Sequence, residues 1–174
     1  MKKIYIVLSY TGTILSRAIK LYTRKEYSHV SISLDKNMEH MYSFGRLNAY
    51  NPFIGGFVQE SPHFGTFKRF KHSKIKVYSL NVSDEDYERI QDTIHKFEIN
   101  HDKYGFNFMG VVTAAGNYRM RRKYYYYCAE FVKYVLENTS LKLNLPEIVK
   151  PEDFQKLEGL QEVFTGILSD YKVA

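Results

Sequence analysis

Apolar and polar positions alternate along this chain in segments that name their own elements. Ile4 to Ser9 is a near-continuous run of β-branched and aromatic residues, the composition of a buried strand. Thr11-Gly12-Thr13 turns the chain, and Ile14, Leu15, Ala18, Ile19, Leu21 and Tyr22 then recur at helical spacing, with Ser16, Arg17 and Lys20 between them. From His29 to Leu34 the period is two: Val30, Ile32 and Leu34 point one way, His29, Ser31 and Ser33 the other. Asp35-Lys36-Asn37 is a turn signal, and Met38 to Phe44 returns as the second arm of a hairpin. A three-residue turn pairs Leu34 with Met38 and His29 with Ser43, whereas a two-residue turn slips the register by one and brings His40 onto the His29 face. Gly45 to Gly56 reads as a loop, and Phe57 to Glu60 and Lys74 to Asn81 as further strands.

The second half changes period. Ser83 caps a helix whose first turn holds Asp84, Glu85 and Asp86, and Tyr87, Ile90, Ile94 and Phe97 form its apolar stripe. Tyr104 to Ala115 predicts a buried, irregular helix, Asn117 to Lys123 a basic loop, and Cys128 to about Asn138 an amphipathic helix. Pro151 opens a short helix at its first position, and Gln161 to Tyr171 reads as a closing strand. The order predicts an α+β fold, a small antiparallel sheet or half-barrel packed against helices, with residues 1–174 in one domain.

Composition sharpens this picture in three places. The chain has 16 Tyr, 12 Phe and no Trp, so phenyl rings must supply much of the core volume. The net charge of +6 is concentrated in Lys68–Lys76 and Arg119–Lys123, clusters that suit phosphates, anionic lipid heads or carboxylates, or that serve simply as solvated faces. No zinc-finger, helix-turn-helix or RNA-binding aromatic motif accompanies them, which argues against nucleic acid as a partner. The apolar start after Lys2 and Lys3 is broken by Tyr, Ser, Thr and Gly, so it reads as a strand and not as a signal peptide. No apolar run approaches the roughly 20 residues of a membrane span. Together these predict a cytoplasmic protein.

The candidate chemistry centres on Cys128, the single cysteine, which rules out an internal disulfide. A lone cysteine commonly serves as a small buried hydrophobe. This one stands at a predicted helix start, close in sequence to basic residues, and both features favour a thiolate. His29, on the polar face of its strand, is the candidate base, and Ser43, His40 and Glu60 are alternative third groups to orient its imidazole. The six histidines show no metal-ligand spacing, so neither metal nor cofactor is expected.

Four segments carry a resemblance: Ser28-His29-Val30-Ser31-Ile32, Met41-Tyr42-Ser43-Phe44-Gly45-Arg46, Gly55-Gly56-Phe57-Val58-Gln59-Glu60 and Tyr127-Cys128-Ala129-Glu130-Phe131-Val132. They resemble the circularly permuted, papain-like branch of the NlpC-type cysteine peptidase superfamily, which includes enzymes of the lecithin:retinol acyltransferase type. The resemblance implies a permuted papain-like fold with His before Cys, and assigns Cys128 as nucleophile and His29 as its partner. The implied activity is a thiol hydrolase, an amidase or peptidase, cleaving an amide through a thioester, with a cell-wall-type peptide as one substrate class. The alternatives are a lipid acyltransferase or deacylase at a membrane surface, and a non-catalytic binding module that keeps the cleft. Partners are accordingly a small peptide, amino-acid or acyl substrate. Tyr10, at the end of the strand resembling the one that lines the family's site, is the expected side-chain donor to the oxyanion, and Arg121 the expected anchor for a substrate anion.

Overall fold

In the computed structural model of the chain, which describes residues 1–13, 16–17, 20–21, 25–48, 51 and 54–172, the strand read at Ile4–Ser9 extends over Lys2–Tyr10 (β1). Its buried run works in two directions. Ile4, Ile6 and Leu8 enter one core cluster, and Tyr5 and Val7 enter a second. β1 is therefore a central strand with both faces covered, the setting in which near-continuous apolar sequence is expected.

Around it lie β2 (His29–Ser33), β3 (Met41–Arg46), β4 (Gly55–Glu60), β5 (Lys74–Val82) and β8 (Leu160–Ile167). They form one six-stranded sheet in the order β4-β3-β2-β1-β5-β8, every adjacent pair antiparallel. The closing strand ends at Ile167, and Leu168–Asp170 forms a 3-10 turn in place of the expected strand residues up to Tyr171. Most of the residues expected to form a helix after β1, Ile14, Leu15, Ala18, Ile19 and Tyr22, lie outside the described residues.

The β2–β3 register differs from both expectations. Asp35 accepts from the backbone N–H groups of Glu39 and His40 and so organises a longer turn. Ile32 consequently pairs with Tyr42 and Ser33 with Met41. Continued, this register places Gly45, not Ser43, opposite His29. A Cβ added to Gly45 would indeed stand 3.4 Å from His29 Cε1.

One sheet face is covered by α2 (Asp84–Glu98) and α4 (Cys128–Glu137). Ile90, Ile94 and Phe97 are buried as the stripe required, and Ser83 Oγ accepts the N–H of Asp86 at 3.0 Å. Phe131, Val132, Val135 and Leu136 of α4 are fully buried. Here the aromatic content finds its place: Phe97 and Phe131 centroids are 5.2 Å apart, Phe44 and Phe131 5.4 Å, Phe44 and Tyr126 5.3 Å. The opposite face carries the smaller core, with Met38, Met41, Phe67, Ile75, Val77 and Leu168. Phe67 belongs to α1 (Gly65–Arg69), a short helix that the sequence pattern did not suggest.

The segment read as one buried helix from Tyr104 is instead β6 (Gly105–Phe106) followed by α3 (Phe108–Ala115). β6 pairs in parallel with β7 (Tyr125–Tyr126). Buried Asn107 ends the strand and caps the helix, accepting the N–H of Gly110 at 2.9 Å. Pro151–Lys156 is the expected short helix, in 3-10 form. Among the described residues no helix is long and apolar enough to cross a membrane.

Candidate functional site

His29 is the first residue of β2, and Cys128 is the first residue of α4, which packs against β2 and β3. A strand end and a helix start, about a hundred residues apart in sequence, are thus held together by the main core. The Cys128 side chain comes close enough to His29 to help raise the imidazole's pKa, and both line one cavity. On its other side His29 Nε2 lies 3.1 Å from both carboxylate oxygens of Glu60. With Nε2 engaged by Glu60, Nδ1 is the nitrogen left for the thiol. Glu60 ends β4, two strands from β2, and reaches back across β3 at Gly45, where there is no side chain to intervene. Ser31, two residues beyond His29 on the same strand face, donates its hydroxyl to Glu60 Oε2 at 2.5 Å.

The cluster is largely withdrawn from water, with the side chains of His29 and Glu60 only 19% and 10% exposed. Burial alone would push the imidazole down. The Glu60 charge and the hydrogen bonds to Cys128 and Glu60 outweigh it, and His29 is pushed up to about 10. Burial would raise the Glu60 carboxyl, but the His29 charge and the bonds from His29 and Ser31 hold it below the usual carboxylate range. His29 and Glu60 therefore form an ion pair at neutral pH.

Of the three groups considered for orienting His29, the structure places Glu60 there. Ser43 Oγ donates instead to the carbonyl of Val30 at 2.7 Å, and His40 Nδ1 pairs with Asp35 at 3.1 Å. Both follow from the longer turn, which moves Ser43 along the strand away from His29 and leaves His40 in the turn itself.

Two further expectations are corrected. Tyr10, the expected donor to the oxyanion, does not line the cavity at Cys128, and the residue of β1 paired with His29 is Ser9. Tyr10 runs past the end of β2 beside Lys74 of β5, and its ring receives Lys20 Nζ at 4.5 Å in a separate hollow. Arg121 is exposed on the loop after α3, near Glu130 and Tyr126, and does not line the cavity at Cys128. Buried Asn107 ties that loop down, its amide donating to the carbonyl of Met120 at 2.9 Å.

The cavity that contains His29, Glu60 and Cys128 has a volume of about 110 Å³. Phe44, Phe67, Phe106, Val111, Ala114 and Val149 supply apolar wall, and Lys25, Arg46, Lys150 and Glu152 are its charged members besides the His29–Glu60 pair. Glu152 joins the rim to β2 by accepting from the N–H groups of Glu26 and Tyr27. The half-buried Arg46 is the cation next to the chemistry: it faces Glu60 electrostatically and lies over the Phe70 ring at 5.6 Å. No pattern in the sequence marks it as a site residue, although it directly follows the glycine beside His29. Gly55, opposite Arg46, permits close approach of the cavity wall, since a Cβ there would meet Phe106 Cβ at 2.8 Å. Among the described residues no three His, Cys, Asp or Glu side chains are grouped so as to hold a metal ion.

No protein-family model matches the chain, and no curated protein matches it in sequence. Among solved structures, the chain is similar to the crystal structure of the metalloprotein yiiX from Escherichia coli O157:H7. The likeness has a TM-score of 0.59 at 17% identity and covers 95% of this chain and 98% of that one. At that identity the likeness concerns the fold: a mixed α+β arrangement in which an antiparallel sheet packs against helices.

Proposed function

We propose that the protein is a cysteine acyl hydrolase of permuted papain-like architecture, with Cys128 as nucleophile, His29 as proton carrier and Glu60 as the group that orients and charges His29. The observation that carries this reading is the position of His29, beside Cys128 in one cavity and hydrogen-bonded to Glu60 on its other side. An imidazole that holds its proton to about pH 10 is a weak base but a strong partner for a thiolate, because a neighbouring cation favours the charged sulfur. In the proposed mechanism the sulfur attacks as the thiolate beside the imidazolium of His29.

The Cys128 sulfur attacks the substrate carbonyl carbon. The tetrahedral oxyanion is met by the N–H of Cys128, one of the first helical N–H groups, which lack intrahelical partners. The bond to the leaving nitrogen or oxygen breaks as His29 gives that atom its proton, leaving a thioester. Water then attacks the thioester, His29 takes a proton from it, and the acid departs with the thiolate restored.

Amide substrates, including small peptides of cell-wall type, are the first class for this chemistry. The apolar wall formed by Phe44, Phe106, Val111, Ala114 and Val149 favours a second reading, an ester or thioester with an aliphatic acyl group, as in a lipid deacylase or acyltransferase. The name of the yiiX structure raises a metal-dependent reading, which lacks a three-residue ligand cluster among the described residues of this chain.

The test is mass spectrometry of the intact protein after mixing with p-nitrophenyl esters of short and medium chain length and with peptide p-nitroanilides. An acyl adduct on Cys128, absent in Cys128→Ala and formed slowly in His29→Ala, is the expected result. No adduct, with thiol alkylation indifferent to His29, would overturn the hydrolase in favour of a binding module.

A further inference from the structure

The helix α3 is amphipathic in an unusual sense: both of its faces carry apolar residues. Val111, Ala114 and Ala115 turn inward and line the cavity. Phe108, Met109 and Val112, spaced to share the other face, are exposed, Met109 and Val112 to 49% and 50%. The loop that follows extends this apolar surface with Tyr118, Met120, Tyr124 and Tyr125, of which Tyr118 is 76% exposed. Basic heads stand among the rings: the Arg122 guanidinium is 4.0 Å from the Tyr125 centroid and Lys123 Nζ 4.9 Å from that of Tyr124. Arg119 pairs with Glu147, and Arg121 has Glu130 nearby. Arg122 and Lys123 make no ion pair among the described residues. The loop is pinned at several points, by Asn107 to Met120, by Tyr118 N–H to Thr113 carbonyl at 2.9 Å, and by Lys150 to Asn117 at 2.7 Å. The surface is therefore presented in one shape.

Water solvates exposed Phe, Met and Val side chains poorly, and contiguous patches of them mark interaction sites. We infer that α3 and the loop 116–125 form a docking surface for an anionic lipid bilayer. Charge complementarity selects this occupant. Tyrosines with an apolar body and a polar tip settle at the headgroup level. Unpaired Arg and Lys meet acidic lipid heads, and the apolar helix face enters the acyl boundary. Seated this way, the inner face of the same helix would line a cavity beside the membrane. The surface is independent of the chemistry proposed for Cys128, and its test requires no turnover.

The chain has no Trp, so Phe108→Trp introduces a unique reporter on the surface and Val163→Trp, on the edge strand β8, a reporter away from it. Wild-type protein and both reporters are sedimented with vesicles of phosphatidylcholine containing 30% phosphatidylserine and with vesicles of phosphatidylcholine alone. Cosedimentation favouring the anionic vesicles, a blue-shifted emission for Phe108→Trp and an unshifted one for Val163→Trp are expected. Arg122→Ala with Lys123→Ala should weaken binding roughly 25-fold, about fivefold for each basic residue. Absence of cosedimentation, equal binding to neutral vesicles, or binding that leaves the Phe108→Trp emission unshifted would each overturn the proposal. A protein partner for this surface would appear as the first of these.

Discussion

His29 sits between an acid and a thiol, and its protonation bears on local stability and, in the proposed mechanism, on reactivity. Glu60→Gln removes the charge that offsets burial, so the His29 pKa should fall from about 10 to below the ordinary value of about 6.5. Titration of the imidazole by NMR checks this, and a value unmoved by the substitution would exclude Glu60 as the cause. The stability consequence has a definite sign. His29 has a raised folded-state pKa, so its contribution is complete below about pH 6.5, declines above it, and is lost as pH passes about 10. Glu60 has a depressed one, so its contribution is present above about pH 4.5 and lost as pH falls through its lower folded value. Urea midpoints of the wild type should therefore decline from pH 6.5 to 10 more steeply than those of His29→Gln. Ser31→Ala removes a hydroxyl that restrains the Glu60 carboxylate at 2.5 Å. Its expected effect is about 1–3 kcal/mol, the cost of a hydrogen bond to a charged group, with the thiol still labelled by iodoacetamide. At this scale the sequence exposed Cys128 and His29 through their places at a helix start and a strand start. It left Glu60, Ser43 and His40 undivided, because the choice depends on a turn length that the turn signal Asp35-Lys36-Asn37 does not specify.

At the scale of elements, local rules held where local contacts dominate. The cap at Ser83 was legible because a serine followed by three acids satisfies orphan N–H groups regardless of context. Ser83→Ala should cost about 1 kcal/mol in chemical denaturation. Asp86 will amplify the effect, since it also anchors the loop after α4 by accepting the Ser140 N–H at 2.8 Å and hydroxyl at 2.7 Å. Local rules failed at Tyr104–Ala115. Apolar content there suggested a single buried helix, yet the chain spends two residues on a parallel bridge with Tyr125–Tyr126 before Asn107 starts a helix with an exposed apolar face. A partner strand some twenty residues away is invisible to a periodicity window. The same limit hid α1, whose five residues are too few to show a period.

For the whole molecule, the aromatic content became a packed cluster that positions the site. Phe131 follows Cys128 by one turn of α4 and contacts Phe44, Phe57 and Phe97. Phe131→Ala should cost about 3–5 kcal/mol of unfolding free energy and slow alkylation of Cys128 as the helix start loosens. A variant with wild-type stability would show that the cluster is not the support of α4. Most of the strands and helices, the α+β class and the candidate pair His29 and Cys128 were written in the sequence, because each rests on periodicity or on a residue at an element's end. The β2–β3 register, the choice of Glu60 and the place of Arg46 at the cavity were settled only in three dimensions. So were the removal of Tyr10 and Arg121 from the site and the exposure of the α3 face. The register follows from the length of one turn, and the rest from where segments distant in sequence come to lie, which is a property of the packed core rather than of any one segment.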